Sequence, residues 1–182
     1  MKKWLLLLLV ISIAWWWQQP AGINVSAENV IQQGEYQITS LEEDFTITAR
    51  VLSRKNYHFG READLSPVDL ALGWGPMADP EIIKQFSIRQ SNRWYYWKTK
   101  ELPIAKREVE IHSANMHMIP ADSYVAEQLS NVKKNQNIQI IGKLVRVDAE
   151  DGWHWVSSLS REDTGAGACE LVLVEHIIQL PD

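Results

Sequence analysis

Cysteine is all but missing. Cys169 is the only one among 182 residues, so no intrachain disulfide can form and the fold must rest on its apolar core. Its place just ahead of Glu170 and an apolar run predicts a buried, inert thiol. Positive charge is also short. The chain carries 18 Lys and Arg against 23 Asp and Glu. Beyond Ala27 all 23 acids remain but only 16 bases, because Lys2 and Lys3 fall in the leader, and the net charge becomes −7. Lys98, Lys100 and the Lys133-Lys134 pair are too scattered to form a basic patch, so nucleic acid is not expected as a partner. Catalytic signatures are lacking too: there is no P-loop, no dinucleotide fingerprint, no HExxH and no nucleophile elbow. No internal repeat or low-complexity tract interrupts the chain, and no cofactor is expected.

What remains is the balance of a globular domain. Apolar residues make up 46% and charged residues 23%, which excludes a disordered tail or a multi-pass membrane protein. The one long apolar run lies at the start. Lys2 and Lys3 precede a 14-residue, predominantly apolar stretch from Trp4 to Trp17, closed by Gln18, Gln19 and Pro20. That is the form of a secretory leader, shorter than the ~20 residues a bilayer normally needs. Trp15, Trp16 and Trp17 suit the headgroup layer and favour a retained anchor. Val25-Ser26-Ala27 offers a processing site as the alternative. Residues 1–21 are therefore read as a signal-anchor or signal peptide and 22–44 as a polar tether or N-terminal arm. The domain expected over 45–182 then sits in the periplasm or outside the cell. It is held at the inner membrane through residues 4–17, or secreted after cleavage near Ala27.

Regular structure is expected from Phe45, where Phe45, Ile47, Ala49 and Val51 alternate with polar residues as in a half-buried strand. Ser66-Pro67 with Asp69 reads as a capped helix start, ended by Gly73 and Gly75-Pro76. Asp79-Pro80-Glu81 repeats the signal for a short helix through Gln85. Strands are expected over 93–98 and 107–111, and a longer helix from Ala121-Asp122-Ser123. A β-branched strand follows over 138–147, with Gly142 marking a bulge. A turn at 148–152 leads to a strand over 153–158, and the last strand covers 170–178. The fold class is mainly β with a few short helices. A helix between the third and fourth strands suggests an OB-like β-barrel of five to six strands, preceded by the N-terminal hydrophobic helix.

Three segments look over-specified for scaffolding: Asp64–Met77 (DLSPVDLALGWGPM), His112–Ala121 (HSANMHMIPA) and Ser157–Glu170 (SSLSREDTGAGACE). Through them the sequence resembles a family of short, uncharacterised bacterial membrane-anchored or exported envelope proteins. The resemblance covers about residues 45–176. It implies an envelope location and brings no catalytic residue with it.

Candidate site residues follow from residue type. His112 and His117, with Asp163 and Glu170, could serve a metal-dependent or acid/base hydrolase, but a spacing of five on a strand sends the two imidazoles to opposite faces. No metal site is assigned. Arg161 with Asp163 could equally tie loops together through Asp64 or Arg93. The aromatic residues are the stronger binding clue: Trp74, Trp94, Trp97, Trp153 and Trp155, with Asn115 and Arg161, are the expected ligand-binding set. The expected function is a membrane-tethered binding or interaction module of the cell envelope, taking an envelope protein or a small ligand. The alternatives are the hydrolase and a structural adaptor of a membrane complex.

Overall fold

The computed structural model describes residues 30–163, 165 and 167–181. The leader expected at 1–21, with its hydrophobic helix, and the first part of the arm lie outside the described residues. Among the described residues no helix is long and apolar enough to cross a membrane. Strand accounts for 51% and helix for 19%, so the fold is mainly β with a few short helices.

Strands β1 (Val30–Gln33) and β2 (Tyr36–Asn56) lead to a one-turn helix, α1 (Arg61–Leu65), and then to β3 (Val68–Gly73). An insertion follows. It comprises a 3-10 turn (Gly75–Ala78), α2 (Pro80–Ile83), the hairpin of β4 (Ser87–Ser91) and β5 (Trp94–Lys98), and α3 (Lys106–Ile111). Strand β6 (Ser113–Pro120), helix α4 (Ser123–Asn131) and strands β7 (Asn137–Ala149), β8 (His154–Val156) and β9 (Glu170–Leu180) complete the described chain. In the main sheet the strands pair in the order β1-β2-β3-β6-β9-β7-β8, and β2 also pairs with β7. The circuit β2-β3-β6-β9-β7 thus returns to its first strand as a ring-like sheet. Within it only β6 and β9 run parallel.

Apolar side chains form three clusters around this circuit. Phe45, Ile47, Val51, Leu70, Met116, Ile140 and Val172 belong to the largest, which α4 joins through Val125 and Leu129. The alternate residues of the same strands face the other way. Ile38, Val147, Leu171 and Leu173 form a second cluster, with Leu65 of α1 and, at its margin, Trp153 and Trp155. Leu52 and Ala71 meet Met77, Phe86 and Val109 of the insertion in a third. Strand β2 serves all three because its register slips between Ser40 and Glu42, between Glu42 and Phe45 against β7, and between Val51 and Ser53 against β3. Each slip changes which side chains face inward.

Several expectations hold and three are corrected. Asp79 caps α2, accepting the Glu81 N–H at 2.8 Å, and Asp122 caps α4 through the Val125 N–H at 2.8 Å. Regular structure begins well before Phe45: the slips in β2 break the alternation over 36–44 and leave it reading as an arm. The helix expected from Ser66-Pro67 is strand β3. Ser66 instead ends α1, donating its N–H to the Glu62 carbonyl, and Val68, Leu70 and Leu72 follow period two. Every residue of β3 is buried, since both of its faces are covered. The strand expected over 107–111 is helix α3, where Val109 packs under the insertion and Lys106 pairs with Glu110 four residues on at 2.7 Å. A five-residue alternation cannot separate a strand from a single helical turn.

Gly142 is the bulge its position in the strand suggests. The β7–β9 register shifts between Ile141 and Gly142, and a Cβ at Gly142 would lie 2.1 Å from the Leu173 carbonyl oxygen. Backbone cannot move aside as a flexible side chain can. Gly142→Ala is therefore expected to lower the unfolding free energy by about 1–3 kcal/mol, measured by urea denaturation. An unchanged midpoint would show that β7 and β9 do not approach so closely.

Candidate functional site

The outward face of β3 and β6 carries a row of polar side chains. Asp69 stands opposite His117, Ala71 opposite Asn115, and Gly73 opposite Ser113. Their alternate neighbours Val68, Leu70, Leu72, Ala114, Met116 and Met118 fill the largest apolar cluster, so the polar row must point the other way. It is not solvated. Asp69, Ser113, Asn115 and His117 are all buried, and the β4–β5 hairpin donates the groups that partner three of them.

The hairpin turns at Asn92 and Arg93, with φ of 53° and 65°. Two successive residues at positive φ make the turn that matches strand twist, although a side chain there costs roughly 1–2 kcal/mol. Several contacts hold Arg93 in place. Its guanidinium donates to Asp69 Oδ1 at 2.6 Å and to the Ser66 carbonyl at 2.9 Å. Its N–H donates to the Tyr57 hydroxyl at 3.0 Å, and its carbonyl accepts from Asn115 Nδ2 at 3.0 Å. The Tyr57 ring centre lies 3.8 Å from its guanidinium carbon. Asn115 Nδ2 also donates to Asp69 Oδ2 at 3.2 Å, and Gln90 Nε2 donates to Asn115 Oδ1 at 2.6 Å. Farther along, Ser113 donates to the Val109 carbonyl, which leaves the Tyr95 hydroxyl to donate to Ser113 Oγ at 2.6 Å.

The two histidines do not converge. His117 Nδ1 lies 3.0 Å from Asp69 Oδ1, out of line for a hydrogen bond, and its ring packs 4.7 Å from that of Trp155. His112 accompanies α3, its Nδ1 3.0 Å from the Glu108 carbonyl oxygen, and its ring abuts Gly75. Among the described residues no group of three or more His, Cys, Asp or Glu side chains is placed to hold a metal ion.

Beside this polar layer lies a cleft of about 220 Å³. Trp94, Tyr95 and Trp97 of β5 line it with Ser113, Ala114 and Asn115 of β6. Across from them are Arg161, Asp163, Cys169 and Glu170. The loop that carries the latter group is hydrogen-bonded on itself: the Ser158 hydroxyl donates to Asp163 Oδ2 at 2.7 Å, and Ser157 Oγ accepts the Leu171 N–H at 3.0 Å. Glu170 is the anomaly. It is 1% exposed, and neither carboxyl oxygen has a hydrogen-bond partner. Burial pushes its pKa up to about 8, against partial offsets from its own backbone N–H and then from Arg161. Burial and the adjoining Glu170 push the half-buried Cys169 thiol up to about 12, which makes it a poor nucleophile at neutral pH.

The cleft thus gathers Trp94, Trp97, Asn115, Arg161, Asp163 and Glu170 from the sequence-derived candidates. It does not gather His112 or His117. Trp74 packs on the largest apolar cluster, and Trp153 and Trp155 pack on the second. The loop tie expected between Asp163 and Arg93 is replaced by Arg93 on Asp69. Sequence reasoning passed over Gln90 and read Asp69 only as a helix-capping acid. The available signal was an acid at the second position of the apolar run Val68–Leu72, where a solvated capping residue would be out of place.

Asp69→Ala is expected to lower stability by about 3–5 kcal/mol, because Arg93 would stay largely buried without its counter-charge and Asn115 would keep only the Arg93 carbonyl as acceptor. Asp151→Ala, which breaks the exposed Arg61–Asp151 pair, should leave stability nearly unchanged. Equal effects in urea denaturation would show that Asp69 is not specially placed. Glu170 gives a pH signature. Between its ordinary value of 4.5 and about 8, the native state binds more protons than the unfolded chain. Stability therefore falls as pH rises through that window, by at most about 1.4 kcal/mol per pH unit. Glu170→Gln should flatten this slope, matching wild type at pH 4 and exceeding it at pH 9; a variant less stable than wild type at pH 9 contradicts the assignment.

No protein-family model matches the chain, and no curated protein matches it, so its function has to be argued from the chemistry of the cleft.

Proposed function

We propose that the protein is an exported, membrane-tethered binding module of the bacterial cell envelope, with an OB-like barrel as its scaffold and the cleft beside β5 and β6 as its ligand seat. Glu170 carries the binding reading. A carboxyl buried to 1% exposure with both oxygens unpartnered burdens a purely structural domain, and a ligand reaching the cleft would supply the missing partner. Trp94, 41% exposed at the same cleft, is a ring that a soluble scaffold has little reason to leave out.

The strand circuit supports the OB-like plan. Five strands return on themselves, α4 falls between the third and the fourth, and the third pairs parallel with the fifth. In that plan ligands take the face of the second and third strands and the loop joining the fourth to the fifth. Here the third strand, β6, lines the cleft through Ser113, Ala114 and Asn115, and the loop from the fourth to the fifth lines it through Arg161, Asp163 and Cys169. The acidic balance speaks against an oligonucleotide in that seat. The location in the envelope rests on the charged and apolar leader and on the family resemblance. Of the four residues named for a hydrolase, Asp163 and Glu170 line the cleft and His112 and His117 do not.

Two measurements test this function. A reporter enzyme active only outside the cytoplasm, fused after residue 182 of the full chain, is expected to be active; an inactive but stable fusion contradicts export. Tryptophan fluorescence of the full chain, titrated with envelope saccharides, peptides and small amines, is expected to give a saturable response. Trp94→Ala should weaken that response at least about tenfold without lowering Tm. A response indifferent to Trp94, or none across the panel, sinks the binding module.

A further inference from the structure

We infer that the cleft seats an organic ammonium cation, with Glu170 as its counter-ion and the rings of Trp94 and Trp97 as its walls. This rests on the binding reading above and names its ligand class. The first support is the carboxyl itself: Glu170 is 1% exposed, lines the cleft, and takes no hydrogen bond from any other residue on either oxygen. A ligand bearing N–H groups and positive charge supplies what it lacks.

The second support is the sign of the lining. Besides Glu170, the ionisable groups facing the cleft are the carboxylates of Asp163 and Glu110, the Arg161 guanidinium, the Cys169 thiol and the Tyr95 phenol. Asp163 takes the Ser158 hydroxyl and Glu110 lies 2.7 Å from the Lys106 ammonium. Arg161 sits with its guanidinium carbon 5.0 Å from the Phe45 ring centre. Cys169 and Tyr95 are neutral, both shifted upward chiefly by burial. Two carboxylates, Asp163 and Glu110, face the cleft against one guanidinium, Arg161, and the neutral Glu170 becomes a third carboxylate only when a cation draws off its proton. That balance favours a cation over an anion, and indole faces add to its binding when it is desolvated.

Size and ligand count narrow the class. A cleft of about 220 Å³ falls below the roughly 300–1,000 Å³ of sites for drug-sized ligands, so the cation is the size of a side chain or a lipid head group. A divalent metal is disfavoured because no three ligating side chains converge among the described residues. Docking also moves a proton. The neutral carboxyl of Glu170 releases its proton to solvent as it becomes the carboxylate facing the ammonium, which keeps its own protons.

The test uses the full chain in a non-ionic detergent, with n-butylammonium, n-butanol and butyrate as isosteric probes read by tryptophan fluorescence. Calorimetry at pH 7 in two buffers of different ionisation enthalpy counts protons. Butylammonium is expected to bind at least about tenfold more tightly than butanol, and butyrate not to bind. About one proton should leave per ammonium bound. Glu170→Gln should weaken the ammonium at least about tenfold, abolish the proton release, and leave Tm at pH 7 no lower than that of wild type. If butanol or butyrate binds as well as butylammonium, in a manner that Trp94→Ala weakens, the cleft is a binding site and the cation class is wrong. Ammonium binding untouched by Glu170→Gln, or without proton release, puts the cation elsewhere. If no probe binds in a Trp94-dependent way, this inference is overturned; the wider panel of saccharides and peptides then decides separately whether the cleft binds anything.

Discussion

Taking a carboxylate out of water is unfavourable by several kcal/mol unless cations and N–H donors converge on it. At Asp69 they do: Arg93 and Asn115 donate to its two oxygens while the side chain itself has no exposure. The insertion between β3 and β6 is also attached to the ring-like sheet by the small apolar cluster of Leu52, Ala71, Met77, Phe86 and Val109 and by the hydrogen bonds of Gln90 and Tyr95 to Asn115 and Ser113. Dispersion and burial alone would hold such a flap without fixing its register. The Asp69–Arg93 contact adds direction, since a guanidinium fork and a turn at positive φ admit few alternatives. With the hairpin fixed, Trp94, Tyr95 and Trp97 are delivered to the edge of β6, and the cleft acquires its aromatic wall.

Asp69 and Glu170 make an instructive pair. Both are carboxyls on strands of the same circuit, and both are almost wholly buried. One is surrounded by donors from other residues, while the other has only its own backbone N–H and the more distant Arg161 charge. They lie on opposite faces of the sheet: Asp69 stands opposite His117 on the outward face, and Glu170 pairs with Met116, whose side chain fills the largest apolar cluster. A domain selected for stability alone would satisfy both or replace the second by an apolar residue. On the proposed reading the polar layer at Asp69 holds the hairpin that walls the cleft, and the carboxyl of Glu170 is left for what enters it.

How much of this could be read from the chain depends on how local the cause is. The caps at Asp79 and Asp122 act within three residues, and both are legible. The β-branched run from Ile138 with its glycine is legible too, because Gly142 interrupts a pattern that leaves no other reading. Strand β3 is misread because Ser66-Pro67 imitates a helix start, although Ser66 is closing α1. Helix α3 is misread because one turn is too short to show a period. The polar residues of His112–Ala121 are visible in the sequence, but their burial under a hairpin from another part of the chain is not. Glu170 and Asp163 could be named from residue type. The isolation of Glu170, which separates it from an ordinary salt-bridged acid, is a property of the assembled cleft.

The ionisable groups that line the cleft are few enough for one to be followed on its own. The most direct measurement is a ¹³C NMR titration of the Glu170 side-chain carboxyl, assigned by its disappearance in Glu170→Gln. The account predicts a midpoint near 8 in the free protein. A midpoint near the ordinary 4.5 would mean that Glu170 is already partnered or solvated, and that the cleft has no open carboxyl to offer.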